Sequence, residues 1–193
     1  MRKSVILMLG LSVLLGGCVN LGNKAAAPAQ LFTLSAPTLG GAGVTAGVGE
    51  ALVVAEPETD RALVQTRIAV QVDAHSLAYL PEGLWAERPA RLFRNLIAET
   101  IRAGGNRLVV LDDADALQGG PRLGGRLVAF GYDARSHAAV VRYDALRRGA
   151  DGRLSQQRFE ASVPVAKPRA QDVAKALDQA AGKMAVQVAD WMK

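Results

Sequence analysis

The sequence has very little of what catalysis and cross-linking use. Among 193 residues there is one cysteine and there are two histidines. One cysteine excludes an intrachain disulfide and any zinc site built on paired thiolates. His75 and His137 stand far apart in the chain, outside any HExxH or paired-ligand spacing, and each falls in or beside a candidate hairpin turn. The His75–Asp73 pair therefore reads as a surface turn. No GxSxG elbow surrounds Ser35, Ser76, Ser136 or Ser155, and the glycines of TLGGAGVTAGVGE are followed by no lysine at GxxxxGK spacing. Asp112, Asp113 and Asp115 form an acidic knot after a strand, but the DxDxDG calcium pattern is missing. Aromatic residues are only 5% of the chain. They do not interleave with a basic cluster, so nucleic acid is not an expected partner. Arg88, Arg91 and Arg94, like Arg147 and Arg148, read as solvated faces. No apolar run reaches the roughly 17 to 25 residues of a membrane-spanning helix. No catalytic residue, cofactor site or metal-ligand set is expected, and function should lie in surfaces.

What is present is a chain half apolar and 21% charged, which favours a buried core over disorder. The formal charge is +5, with Arg2 and Lys3 at the extreme N-terminus, so the remainder is only mildly basic. Those two cations precede the apolar stretch Val5–Leu15 and the small pair Gly16-Gly17, the order of a secretory signal peptide. Leu15-Gly16-Gly17-Cys18 resembles the bacterial lipobox. The resemblance implies diacylglycerol on the Cys18 sulfur, cleavage before it and acylation of the new amino group. Each buried methylene contributes ~0.8 kcal/mol, and a second acyl chain turns marginal binding into firm anchoring. In enterobacterial lipoproteins an aspartate after that cysteine retains the protein at the inner membrane. Val19 stands there, so the resemblance implies the periplasmic face of the outer membrane. The expected organisation is 1–17 signal peptide, 18–30 lipidated N-terminus and tether, and 31–193 a single domain.

Within that domain LFTLSAP alternates as a first strand ending at Pro37, and ALVVAEP is a short strand buried on both faces. LVQTRIAVQVDAHSLAYLPEG predicts two strands joined near Asp73-Ala74, the second ending at Leu80 before a Pro81-Glu82-Gly83 turn. The period then changes to about 3.6. Leu92, Phe93, Leu96, Ile97 and Ile101 form one stripe of a helix from Pro89 to Ala103, with Arg91, Arg94, Asn95 and Glu99 opposite, and Gly104-Gly105 suit its C-cap. RLVVLDD completes a strand–helix–strand step. Residues 122–164 predict an antiparallel meander with turns near Arg135-Ser136 and at Asp151-Gly152. A second amphipathic helix, about Ala170 to Asp190, carries Val173, Leu177, Ala180, Met184, Val188 and Trp191 on one stripe. The fold class is α/β: a single domain with a mixed parallel and antiparallel sheet and two amphipathic helices packed on it.

The segment SLAYLPEGLWAERPARLFRNLIAETI, with Tyr79, Trp85, Pro89 and the Leu92/Leu96 stripe, resembles the auxiliary lipoproteins of ABC-type intermembrane transport systems, the group that includes paraquat-inducible protein C. The opening Leu31-Phe32-Thr33-Leu34, the meander and the closing helix agree with that resemblance. It implies a non-catalytic lipoprotein acting by protein contact beside a permease, an ATPase and an MCE-domain protein, with phospholipid as candidate cargo. Two other readings stand beside it: a domain that carries lipid in a groove between sheet and helix, and a structural or assembly lipoprotein of the envelope. Tyr79, Trp85 and Pro89 are the candidate residues, either as partner contacts or as structural anchors at the helix start.

Overall fold

The computed structural model describes residues 30–38, 43–47, 49–104, 107–111 and 120–193. The expected signal peptide, Cys18, nearly all of the tether and the acidic knot at Asp112, Asp113 and Asp115 lie outside the described residues.

Among the described residues, nine strands and two α-helices follow in the order β1 (Leu31–Phe32), β2 (Leu52–Val54), β3 (Glu58–Thr59), β4 (Arg67–Gln71), β5 (Leu77–Trp85), α1 (Pro89–Ala103), β6 (Val109–Leu111), β7 (Arg122–Asp133), β8 (Ala138–Arg148), β9 (Leu154–Pro164) and α2 (Ala170–Trp191). A 3₁₀ turn, Arg61–Leu63, joins β3 to β4. The strands form one mixed sheet whose spine is β7. One edge of β7 carries β8 along its whole length, in antiparallel register from Arg122↔Arg148 to Asp133↔Ala138. Its other edge is shared by three short parallel strands: β2 at Arg122–Leu123, β3 at Arg126–Leu127 and β4 at Gly131–Asp133. From β2 the sheet continues to β6, and from β4 to β5 and β1. The fold class read from the sequence is the one observed.

The reason for the mixed sheet is the mixed patterning. In β9, Phe159 is buried while Arg158 and Glu160 are exposed, so the meander has one dry and one wet face. Leu52, Val53 and Val54 in β2, an interior strand between β6 and β7, are all buried, so both faces of that strand are covered. Both helices lie on the dry face and touch each other, α2 over β8 and β9 and α1 beside β2 and β6. The layer between sheet and helices is filled by Trp85, Phe93, Leu96, Leu123, Leu127, Phe130, Tyr143, Leu177 and Met184, all fully buried. Phe93 meets Tyr143 edge-on at 5.2 Å, and the Tyr143 hydroxyl donates to the Gly124 carbonyl. The meander turns also follow expectation: Gly152 takes φ +79°, the left-handed conformation that a tight hairpin corner asks of a glycine.

Four local expectations are corrected. The first strand is only Leu31–Phe32, since its one partner, β5, pairs with it at Leu84 and Trp85 alone. Beyond it the chain leaves the sheet, and the Ser35 N–H donates to the Asp178 carboxylate of α2 at 2.6 Å. Second, no turn separates Tyr79 from Trp85: β5 runs through Pro81-Glu82-Gly83 as a bulge. Third, the strand–helix–strand step is not a parallel neighbour pair, because β5 is antiparallel to β4 and three strands stand between it and β6. Fourth, Arg94 is not solvated but buried, 5% exposed, and its Nε donates to the Asn95 side chain. Its methylene stem lets a charged residue extend the dry side of the helix. Gly104 does end α1, but with φ −68°, so the cap uses no left-handed glycine.

Candidate functional site

The bulge in β5 sets the geometry of the candidate residues. Between Arg67↔Leu84 and Ala69↔Tyr79 the strand opposite spends two residues while β5 spends five. In a regular strand residues 79 and 85 would share a face, because side chains alternate with period two. The extra residues reverse that parity. Tyr79 therefore lies on the helix-free face, its ring under the Arg67 guanidinium at 5.0 Å and its hydroxyl donating to the Ala62 carbonyl at 3.2 Å. Trp85 points into the core, 1% exposed, edge-on to Phe130 at 5.4 Å and to Phe32 at 6.2 Å. Its backbone N–H donates to Thr66, while the buried ring Nε1 has no partner among the described residues. Pro89 is the first residue of α1 and is also buried.

What remains accessible between Tyr79 and Trp85 is the bulge itself. Pro81 and Glu82 are exposed, Gly83 and Leu84 half-buried. Gly83 takes φ +83°, and a β-carbon there would stand 2.7 Å from both Phe32 and Ala170. The bulge is therefore an exposed protrusion braced from beneath by β1 and by the first residue of α2.

A groove of about 420 Å³ opens on the helix-free face. Its floor is Ala69, Ala129, Gly131 and Val140, its wall the 60–63 segment, and Gln71, Asp133, Arg135 and Arg142 provide a polar rim. Burial raises the Asp133 carboxyl, but the Arg135 side chain and the N–H groups of Arg135 and Ser136 outweigh it and hold the group below the ordinary aspartate range. On the opposite side of β7, where Phe130 also lies, the Tyr132 hydroxyl meets His137 Nδ1 at 3.2 Å. These contacts fix side chains and do not converge on a reacting atom. His75 likewise brings no ring to Asp73: its backbone N–H donates to that carboxylate at 2.8 Å, an Asx turn. No cluster of three metal-ligating side chains occurs among the described residues. No described helix is long and apolar enough to cross a membrane.

The sequence singled out Tyr79 and Trp85 together, and the structure places them on opposite faces. In the sequence the helix-free face reads as the wet side of the meander, and the structure adds that it is indented. The signal was present in the alternation of β8, where Val140, Arg142 and Asp144 interleave with the buried Val141 and Tyr143.

Residues 32–189 match the family described as ABC-type transport auxiliary lipoprotein component. No curated protein matches the chain. Among solved structures, a protein from Xanthomonas campestris assigned to family DUF330 superposes with a TM-score of 0.70 at 18% identity, covering 85% of this chain and 94% of that one. A second crystal structure, of a protein described as uncharacterized, superposes with a TM-score of 0.63 at 15% identity, covering 85% and 100%. These two likenesses show the fold.

Proposed function

We propose a function from one premise: the chain belongs to the family of ABC-type transport auxiliary lipoprotein components. An auxiliary role beside an ABC transport system and an association with the cell envelope follow from that membership. The finer reading is that this chain is a non-catalytic part of an MCE-associated system moving lipid between envelope membranes. Acyl groups on Cys18 hold it at the outer membrane, and it works by contact with its partners in the periplasm.

The observation that carries this reading is the braced bulge at Pro81–Leu84. A protrusion held by Phe32 and Ala170 loses little conformational freedom when a partner covers it, and preorganisation of that kind favours binding. Trp85 and Pro89 are both buried, and Trp85 packs edge-on against the bracing Phe32, while Tyr79 faces the groove side. The groove supports the alternative of a lipid-carrying domain only weakly, since it is open and polar at its rim. Packed side chains fill the sheet–helix layer where that alternative would place a carried lipid.

The test is affinity purification of the tagged full chain from solubilised envelopes, with mass spectrometry of proteins and lipids. Co-purification of a permease, an ATPase and an MCE-domain protein, weakened at least about tenfold by Glu82→Arg with stability unchanged, is the expected result. Stoichiometric phospholipid on the chain without those proteins would replace this reading with the carrier.

A further inference from the structure

The outer edge of β9 is the longest strand edge of the sheet without a partner among the described residues: β9 pairs with β8 along all its eleven residues and with nothing on its other side. The direction of its backbone groups can be derived. The Val165 N–H donates to the His137 carbonyl at 2.8 Å, and these two residues continue the register that pairs Pro164 with Ala138. In an antiparallel ladder, bonded and non-bonded pairs alternate. Val163, Ala161, Phe159, Gln157 and Ser155 thus turn their N–H and C=O groups toward β8. Leu154, Gln156, Arg158, Glu160 and Ser162 turn theirs outward, with their side chains on the helix-free face.

Charges cross that face in rows. Arg126, Asp144 and Arg158 lie directly opposite one another on β7, β8 and β9, and Asp60 pairs with Arg126 at the near end. The Arg158 Nε donates to Asp144 at 2.5 Å. In the adjacent row Arg142 Nε donates to Glu160 at 2.7 Å. One row thus reaches the open edge on a cation and the next on an anion, and both end residues keep about half or more of their side chain exposed.

We propose that this edge joins to a second copy of the same chain, β9 against β9 antiparallel, about a two-fold axis at Phe159. In that register Arg158 of each copy stands opposite Glu160 of the other. Each row then continues across the junction with strictly alternating sign. Gln156 faces Ser162, and the exposed Leu154 faces Pro164, whose carbonyl can accept although it has no N–H to give. A shift of two residues sets Arg158 against Arg158 or Glu160 against Glu160, which like-charge repulsion disfavours. A shift of one sets outward backbone groups against inward ones. The strand's own sequence therefore specifies a single self-complementary register, as an isologous interface requires.

The experiment uses the full chain solubilised in detergent, with the parent chain as the blank for Cys18. Copies bearing Gln156→Cys and differently tagged copies bearing Ser162→Cys are co-expressed and mildly oxidised. The mixed pair should form a disulfide-linked dimer. Ser162→Cys copies alone should not, because the two 162 positions would stand about 20 Å apart, six residues at roughly 3.3 Å each. In sedimentation, Gln156→Pro should weaken dimerisation at least about tenfold, since it removes an outward N–H and leaves the β8–β9 ladder intact. Its circular dichroism melt should stay within a few degrees of the parent. Monomers at every concentration, self-linking of Ser162→Cys copies, or a Gln156→Pro chain that associates as the parent does would each overturn the proposal.

Discussion

Gly83 and Ala170 are in contact at the limit of what two residues can occupy: a β-carbon on the glycine would lie 2.7 Å from that of the alanine. The same glycine has a positive φ, so backbone strain and steric overlap act together. Gly83→Ala should destabilise the protein by at least about 2 kcal/mol. Gly83→Ala combined with Ala170→Gly should recover only the part of the overlap that falls on Ala170, since Phe32 stands equally close to the new β-carbon. Denaturant unfolding of both variants measures the split, and equal stability of single and double variants would show that Ala170 yields without cost.

Trp85 bears on the same corner from within the core. Trp85→Ala should cost about 3 to 5 kcal/mol, the range for removing a large buried ring. Trp85→Phe should cost less than half as much, because it retains edge-on packing with Phe130 and removes an indole N–H that has no partner among the described residues. Partner binding should fall in proportion to the unfolded fraction. A Trp85→Ala chain as stable as the parent yet unable to bind would mean that the ring belongs to the interface.

The charged rows predict an acid limit to stability. The Arg158 hydrogen bond holds the Asp144 carboxyl below its ordinary value of 3.8, and Arg142 does the same for Glu160 below 4.5. A carboxyl with a depressed folded-state pKa stabilises the fold above its unfolded pKa and loses that contribution as pH falls through the folded one. The unfolding midpoint should therefore change little with these groups from pH 7 to about 5 and drop below about 4. Asp144→Asn should flatten part of the drop, and an identical acid profile for that variant would remove the row from the explanation. Solvent screening keeps the effect small, because Arg158 is largely exposed.

Anchoring should depend on one atom, the Cys18 sulfur. Cys18→Ser should abolish incorporation of labelled fatty acid and release the chain from the membrane fraction, since every acyl chain is lost at once and the mild positive charge replaces little of their buried methylenes. Continued labelling of the variant would refute the assignment.

The architecture was legible where one period dominated. The stripe of Leu92, Phe93, Leu96, Ile97 and Ile101 is buried as its spacing requires, and so are Val173, Leu177, Ala180, Met184 and Val188. The β7–β8–β9 meander was legible for the same reason. Misreadings fell where long-range pairing overrode a local signal. Pro81-Glu82-Gly83 has turn chemistry, yet β4 and β1 hold both ends of that segment in the sheet and convert a turn into a bulge. That conversion also hid the separation of Tyr79 from Trp85, because face assignment by alternation fails across an insertion. Arg94 was misplaced because its charge outweighed its helical position in the reading, whereas in the fold its aliphatic stem decides.

The shared edge of β7 also dictates an order of events during synthesis. β2, β3 and β4 all take parallel neighbours from residues 122–133. A ribosome that has made the first hundred residues has therefore made β2, β3 and β4 but not the strand whose edge all three share. Closing pairs so distant in sequence is entropically slow, and the emerging half must stay open until the central strand arrives. The architecture delays completion of the N-terminal half and leaves a growing chain threadable for most of its length.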